Sequence, residues 1–461
     1  MAHGRSYDSF GRLNRTTRRA VDAPQAVNLI VEARKGSLLP FGNGKSYGDS
    51  CHNDAGHLAD MRGLDRIIHF DPATGVLDAE PGVMLHEIID RVAPHGWFLP
   101  VTPGTRFVTL GGAVANDVHG KNHHRRGTFG CHVDALTLVR SDGVFHLTRQ
   151  NEPALFAATI GGMGLTGIIT RIKMNLMRVG SADVVETRTP FSTLDAYFDQ
   201  AEAADSANEY AVAWLDQLHG QRGVLMTANH APEGRYRMKS HDPRLTVPFD
   251  LPFNALNGWS LKAFNTVFFA AKSRHAGEPI TARWQSYFYP LDAVGHWNRL
   301  YGPRGLFQHQ CVIPEEAARS AIPAMLNASR EFGEASFLTV LKRFGDVASP
   351  GLLSFPMPGY TLTLDFPNRG QSTLKMLDRL DAITLDHGGR INPYKDGRMA
   401  AETFKRSFAA WPKLEALRDP AIESDLWKRC VLNHSGEDGL SKSGISSDLN
   451  EKVKQTLTEV P

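Results

Sequence analysis

Thr109-Leu110-Gly111-Gly112-Ala113-Val114-Ala115-Asn116-Asp117-Val118-His119-Gly120-Lys121-Asn122-His123-His124 decides the architecture of this chain, together with the turn Pro103-Gly104-Thr105-Arg106 that leads into it. Gly111-Gly112 lets the backbone approach a flat ring or a pyrophosphate closely, and the small residues Ala113 and Ala115 keep the next few positions free of bulk. Upstream, Pro40-Phe41-Gly42-Asn43-Gly44-Lys45-Ser46-Tyr47-Gly48-Asp49-Ser50 puts three glycines within seven residues after a strand-like run. Backbone N–H groups in such a loop can turn inward as an anion-binding nest. Downstream, Gly161-Gly162-Met163-Gly164-Leu165-Thr166-Gly167-Ile168-Ile169 sits between a helical and a strand-like segment. Three spaced glycine-rich loops fit a long, extended dinucleotide better than a single phosphate. None of them is Gly-x-Gly-x-x-Gly opening a long helix in a βαβ unit, so a Rossmann reading fails. Lys45-Ser46 follows the wrong glycine spacing for a nucleotide-triphosphate loop.

Composition bounds the rest. The 461 residues carry 51 Lys+Arg against 49 Asp+Glu, a formal charge of +2, with 42% hydrophobic and 22% charged residues. These are globular values, and they exclude a nucleic-acid binder that relies on a strongly basic face. The length allows two or three domains. Cys51, Cys131, Cys311 and Cys430 are widely spaced and form no Cys-x-x-Cys pair, so neither a disulfide framework nor a thiolate zinc site is expected. The segment from Met1 to Arg19 lacks the apolar stretch of a secretory signal, and no run of about 18 apolar residues suggests a membrane span. The expectation is a cytoplasmic protein, or one peripheral on the inner membrane.

Period and punctuation place strands at Leu38–Phe41, His57–Met61, Ile67–Phe70 and Val76–Ala79. Helices are expected over Val27–Ala33 and Leu85–Ala93, a hairpin across Ser141-Asp142-Gly143, a short helix at Ala154–Thr159 and a strand over Thr166–Leu176. Beyond residue 182, strand-like runs (Val184–Thr187, Tyr210–Leu215, Gly223–Thr227, Arg283–Tyr289, Leu306–Ile313, Phe337–Lys342, Tyr360–Phe366) adjoin longer helices at Leu194–Ala203, Pro314–Phe332 and Ser372–His387. Adjacent strands beside helices indicate an α+β fold with an antiparallel sheet. Helical residues return after Gly388 up to about Leu432, and a polar tail is expected from Asn433.

The chain resembles the flavoprotein family named after vanillyl-alcohol oxidase and p-cresol methylhydroxylase, and within it the branch that oxidises polyprenylphosphoryl-ribose. The resemblance runs from about Phe10 to Ser424. Its most specific stretches are Gly44-Lys45-Ser46-Tyr47-Gly48-Asp49, the block Leu99 to Gly130, and Gly161 to Ile169. Further matches are Trp297-Asn298-Arg299, Tyr301-Gly302-Pro303, Ser354-Phe355-Pro356, Asp365-Phe366-Pro367 and Ala401-Glu402-Thr403-Phe404. It implies a two-domain flavoprotein: an FAD-binding part at 1–181, an inserted substrate part on an antiparallel sheet at 182–387, and a return over 388–461. FAD is then held by Pro40 to Ser50, by Gly104, by Thr109, Leu110, Gly111 and Gly112, by Asn116, Asp117, Val118 and His119, and by Ile169 and Asn392. Many relatives end the first loop Gly-His-Ser and bond that histidine to the flavin; Tyr47 stands there, so FAD is expected to be non-covalent.

The same resemblance nominates Lys395 and His119 as catalytic residues and Lys121, Trp214, Tyr301, Gln308, Gln310, Thr363, Asp365 and Lys395 as the substrate pocket. Gln308 and Gln310 alternate on a strand and so face the same way. No metal is expected, because His119, His123 and His124 lack a carboxylate at helical ligand spacing. Two departures stand out. Thr363 replaces a cysteine of close actinobacterial relatives, and Asn392 replaces a flavin-contacting tyrosine, with Tyr394 a candidate substitute. Implied partners are a polyprenylphosphoryl-ribose lipid and an NAD(P)H-dependent short-chain reductase as second epimerase subunit. The alternatives are a sugar, polyol or aldonolactone oxidase of the same fold, and a flavin-less scaffold. Residues 235–275 interleave Arg235, Arg237, Lys239, Arg244, Lys262, Lys272 and Arg274 with Phe249, Phe253, Trp259, Phe264, Phe268 and Phe269. That composition suits a lid at a membrane surface and equally a core helix with a basic rim.

Overall fold

A turn tight enough to need glycine joins the strands Val133–Arg140 and Gly143–Thr148: Gly143 has φ +148°. The computed structural model describes residues 6–236, 242–251 and 258–434. The tail beyond 434, together with Arg237, Lys239, Phe253 and the side chain of Trp259, lies outside the described residues. The hairpin forms the edge of a five-stranded antiparallel sheet, in which Ile168–Asn175 pairs with Val133–Arg140 and with Val76–Ala79, and Ile67–Phe70 closes the other edge. The helix Leu85–Val92 packs beside it, burying Leu85, Ile88, Ile89 and Val92. These positions form the single stripe of an amphipathic helix. Glu87 accepts the Met84 backbone N–H at 2.8 Å and so satisfies one of the donors orphaned at the helix start.

A smaller parallel sheet sets the first glycine loop. Leu38–Phe41 lies beside His57–Asp60, which lies beside Ala20–Asp22, and the loop leaves the sheet at Phe41. The returning chain braces it. Leu38 N donates to Ala421 O at 3.0 Å, and Arg429 makes two 2.9 Å hydrogen bonds to the Asp49 carboxylate.

The third sheet has eight strands in the order Ile280–Ala282, Val184–Phe191, Arg222–His230, Tyr210–Asp216, Val340–Phe344, Gly359–Pro367, Leu306–Ile313 and Arg390–Ile391, every pair antiparallel. Leu306–Ile313 is buried along its whole length, so both of its faces are packed. On one face His309 Nε2 lies 3.1 Å from Asp381 Oδ1 of the helix Gln371–Asp386, and Cys311 Sγ lies 3.8 Å from Met325 Sδ of the helix Glu315–Glu331. Gln308 and Gln310 point the other way, as a period of two requires.

Three elements differ from expectation. Residues 283–289 form a helix, Trp284–Phe288, not a strand; Trp284, Tyr287 and Phe288 are buried at i, i+3 and i+4, and that helical stripe outweighs the β-propensity of aromatics. The first helix begins at Ala23, four residues early, because the Asp22 carboxylate caps Gln25 N at 2.9 Å with proline in the first turn. Leu110–Ala115, assigned to no element above, is a short helix with Thr109 accepting from Gly112 N at 3.2 Å.

Gly48 joins the first loop to the returning chain. A Cβ there would lie 1.7 Å from the Asp396 carbonyl oxygen. Gly48→Ala therefore forces backbone apart, and overpacking of this kind costs about 1–3 kcal/mol. Thermal melting should show a lowered midpoint for Gly48→Ala and little change for Gly63→Ala, whose Cβ would meet nothing within 4 Å.

Candidate active site

A cavity of about 1030 Å³ opens between the glycine loops and the eight-stranded sheet. Its wall brings together Pro40, Phe41, Gly42, Asn43, Gly44, Lys45, Ser46, Tyr47 and Ser50 of the first loop with Gly104, Thr109, Gly111, Gly112, Asn116, Val118 and His119 of the second. Ile169, Gln308, Gln310, Thr363, Asn392 and Lys395 complete the expected set. The loops interlock. Gly42 approaches Thr109 so closely that a Cβ would lie 2.5 Å from its hydroxyl, and Gly44 adopts φ +58°, where glycine carries no steric penalty.

Eight expected residues stand off the wall. Gly48 is packed under Asp396, Asp49 is paired with Arg429, and Leu110 is fully buried in the core. Asp117 instead clamps loops together: its Oδ1 accepts Gly130 N at 2.7 Å and its Oδ2 accepts the Ser349 and Ser354 hydroxyls. Lys121 donates to the Tyr287 carbonyl and lies 4.2 Å from the Tyr287 ring centroid. Trp214 packs its ring 4.7 Å from that of Phe268, and Tyr301 packs beside Trp297. Asp365 lies beside Gln308 on the adjacent strand, fully buried, accepting its amide at 2.5 Å.

At the sheet end the side chains form one network. Gln310 donates through Nε2 to His119 Nε2 and to Thr361 Oγ1, both at 3.1 Å, and Asn392 donates to Gln310 Oε1 at 2.9 Å. His119 is packed edge-on against Phe344 at 4.9 Å. Tyr47 accepts from Gln308 at 3.1 Å, and Lys395 Nζ stands 4.3 Å above its ring. Tyr394, the candidate substitute for the missing tyrosine, also lines the cavity and donates its hydroxyl to Gly161 O at 3.0 Å.

Burial controls the charge states. It lowers Lys395 to about 8 against the opposing pull of Asp365, and lowers Lys342 to about 8 with Lys395 adding repulsion. Burial, then Lys342, His123 and Lys395, holds His119 well below the usual imidazole range, so the ring is neutral. Asp365 is pushed up to about 7 by burial, with Gln308 and Lys395 opposing. Burial and Lys342 bring Lys121 to about 7. The site thus holds two amines able to exchange a proton near neutral pH beside a neutral imidazole acceptor.

Lys342 was not among the expected residues. Its signal was the alternation Val340–Lys342–Phe344, which sets a lysine between two apolar residues on the cavity-facing side of a strand. Arg12, Arg15 and Arg299, also on the wall, were likewise missed; isolated arginines in turns and a single short helical turn carry no period.

The FAD binding domain family matches residues 19–149. Decaprenylphosphoryl-beta-D-ribose oxidase of Mycolicibacterium smegmatis is 33% identical over 428 residues, covering 88% of this chain and 92% of that protein. An uncharacterized protein in the mprA 5' region of Streptomyces coelicolor is 32% identical, over 76% of this chain and 100% of its own length. L-gulonolactone oxidase 3 of Arabidopsis thaliana is 26% identical, over 29% of this chain and 24% of that protein.

Asp365 yields a pH test. Its carboxyl titrates near 3.8 when unfolded and near 7 when folded, so the fold holds the extra proton between these values. That contribution to stability is present below about pH 4 and is lost as pH rises through 7. Asp365→Asn should remove it, so denaturant melts should favour the variant over the parent more at pH 8 than at pH 4. Parallel curves would place the Asp365 carboxyl in solvent.

Proposed function

The chain belongs to the decaprenylphosphoryl-β-D-ribose oxidase family of FAD-dependent oxidoreductases, and from that premise we propose that it oxidises the 2-hydroxyl of a polyprenylphosphoryl-β-D-ribose to the 2-keto sugar. This would be the first half of an epimerisation to an arabinose donor for cell-wall arabinan. The observation that carries the reading is a pair of half-buried lysines, Lys342 and Lys395, on the same cavity wall as neutral His119, at the end of a cradle built by three glycine loops.

The residues present fit FAD. The glycine loops form one elongated wall, Ser50 Oγ is buried without a hydrogen-bond partner among the described residues, and cations outnumber carboxylates along the cavity. The proposed holding residues are the first-loop, second-loop, Ile169 and Asn392 positions on that wall. With Tyr47 in place of histidine, the loop offers no imidazole for a covalent link. When bound, FAD supplies the acceptor for a hydride from carbon 2.

The chain supplies the proton path. Lys395 Nζ accepts the hydroxyl proton, since burial has already lowered the cost of its neutral form. Lys342, still able to carry charge, opposes the negative charge that develops on the reacting oxygen. Gln308, Gln310 and Thr363 present hydrogen-bonding groups to the sugar from neighbouring strands. We read the chain as an FAD-binding part at 1–181 and 388–461 around a substrate part at 182–387. A separate NAD(P)H-dependent short-chain reductase would return the ketone to an alcohol of opposite configuration.

Lys395→Met should leave the protein yellow, with absorbance near 450 nm and flavin released by acid precipitation. It should slow anaerobic bleaching by prenylphosphoryl-ribose about 10²–10⁴-fold, the usual contribution of a positioned base. Bleaching of the parent by lactones or polyols but not by the lipid sugar would overturn the substrate.

Among the described residues no helix is long and apolar enough to cross a membrane. The helix Gly258–Ser273 buries Leu261 and Asn265 and lays Phe268 against Trp214, yet exposes Phe264 and Val267, with Leu245 and Phe249 exposed nearby in sequence. We read this as a peripheral lipid contact. Phe264→Glu/Val267→Glu should reduce co-sedimentation with anionic liposomes, and undiminished sedimentation would assign the helix to packing alone.

A further inference from the structure

Three arginines converge on one carboxylate at the cavity wall. Arg15 Nη1 lies 2.8 Å and Arg299 Nε 3.6 Å from Asp250, and Arg12 Nη2 donates to the same group. Two positive charges remain over. Arg12 is mostly buried, its Nη1 lacks a hydrogen-bond partner among the described residues, and its backbone is held at φ +58°. Non-glycine residues occupy that region only when the surroundings enforce it. Seven Lys and Arg side chains line the whole cavity against three Asp, in a chain whose overall charge is only +2. Lys342 and Lys395 stand on the sheet side; the three arginines stand beside segment 242–251, which also exposes Leu245 and Phe249. Guanidinium forks match phosphate oxygens better than a single carboxylate can. Cations next to exposed apolar side chains suit an anion that carries a hydrocarbon tail.

We propose that Arg12, Arg15 and Arg299 form a phosphate site that takes the phosphodiester joining the substrate's sugar to its lipid, with Asp250 as the internal anion it displaces. The assignment rests on the polyprenylphosphoryl-ribose reading. The sugar then points inward to Lys395, and the chain leaves past Phe249.

The test uses the full-length, FAD-loaded protein and farnesyl phosphate as probe, with farnesol and inorganic phosphate as controls, read by titration calorimetry. Arg12→Gln/Arg15→Gln should weaken farnesyl phosphate at least tenfold and leave farnesol unchanged. Asp250→Asn, at a partly exposed position, should tighten it several-fold. Flavin-to-protein ratio should stay constant in every variant. Unchanged farnesyl phosphate affinity overturns the site. A fall in flavin content assigns the arginines to the cofactor's pyrophosphate and also overturns it. Inorganic phosphate binding as tightly as farnesyl phosphate rejects the lipid source. Arginine-dependent binding in a protein whose flavin prenylphosphoryl-ribose does not bleach would keep the lipid-phosphate site and remove the ribose.

Discussion

Two half-buried lysines on one cavity wall are the constraint on which the rest of the site depends. An ammonium group taken out of water is costly unless it is paired or gives up its proton. Neither Lys342 nor Lys395 forms an ion pair among the described residues, and both are lowered to about 8. Asp365, the carboxylate that acts on Lys395, is itself driven toward its neutral form. The protein has therefore built a region where protons move at little cost and where added negative charge is welcome. A hydroxyl losing a proton and a hydride suits that environment; a cationic or apolar reactant does not.

The eight-stranded sheet makes this environment possible. One strand, Leu306–Ile313, turns His309 and Cys311 into the helical layer and Gln308 and Gln310 into the cavity. The amides satisfy His119, Asn392, Thr361 and Tyr47 at once, so the polar wall is rigid and the imidazole is fixed with Nε2 as acceptor. A buried polar network of this kind is useful only when its members are satisfied.

Much of this could be read in the residues. The three glycine clusters, the hairpin at 133–148 and the antiparallel strands of the second half carry strong local signals, because turns and periods are written in consecutive residues. What escaped depends on distance in space. Lys342 looks like any strand lysine until Lys395, some fifty positions later, joins it on the cavity wall. Asp365 and Tyr301 read as pocket residues by resemblance, but Asp365 is covered beside its cross-strand partner Gln308 and Tyr301 packs against Trp297, contacts that only the assembled sheet creates. Trp284–Phe288 failed for a different reason: so short a segment does not let propensity and period be told apart.

Lys395 and the first glycine loop form one mechanical unit. Tyr47 N donates to Tyr394 O at 2.9 Å, and Gly48 has room only for hydrogen beneath Asp396 O, so the carbonyls on both sides of Lys395 press on the loop. Asp396 in turn caps the next turn through Arg398 N at 2.8 Å and Met399 N at 2.6 Å, and lies 3.5 Å from Arg429, which also holds Asp49. A displacement of the loop must therefore move the amine, and a displacement of the amine must move the loop. Reactions that need a hydride acceptor and a base at fixed separation gain from such coupling, since misplacement by about 1 Å can cost 10²-fold in rate. That is a physical reason for residues 394–399 to pack on the first glycine loop: the residues that position Lys395 are the ones that complete the cradle.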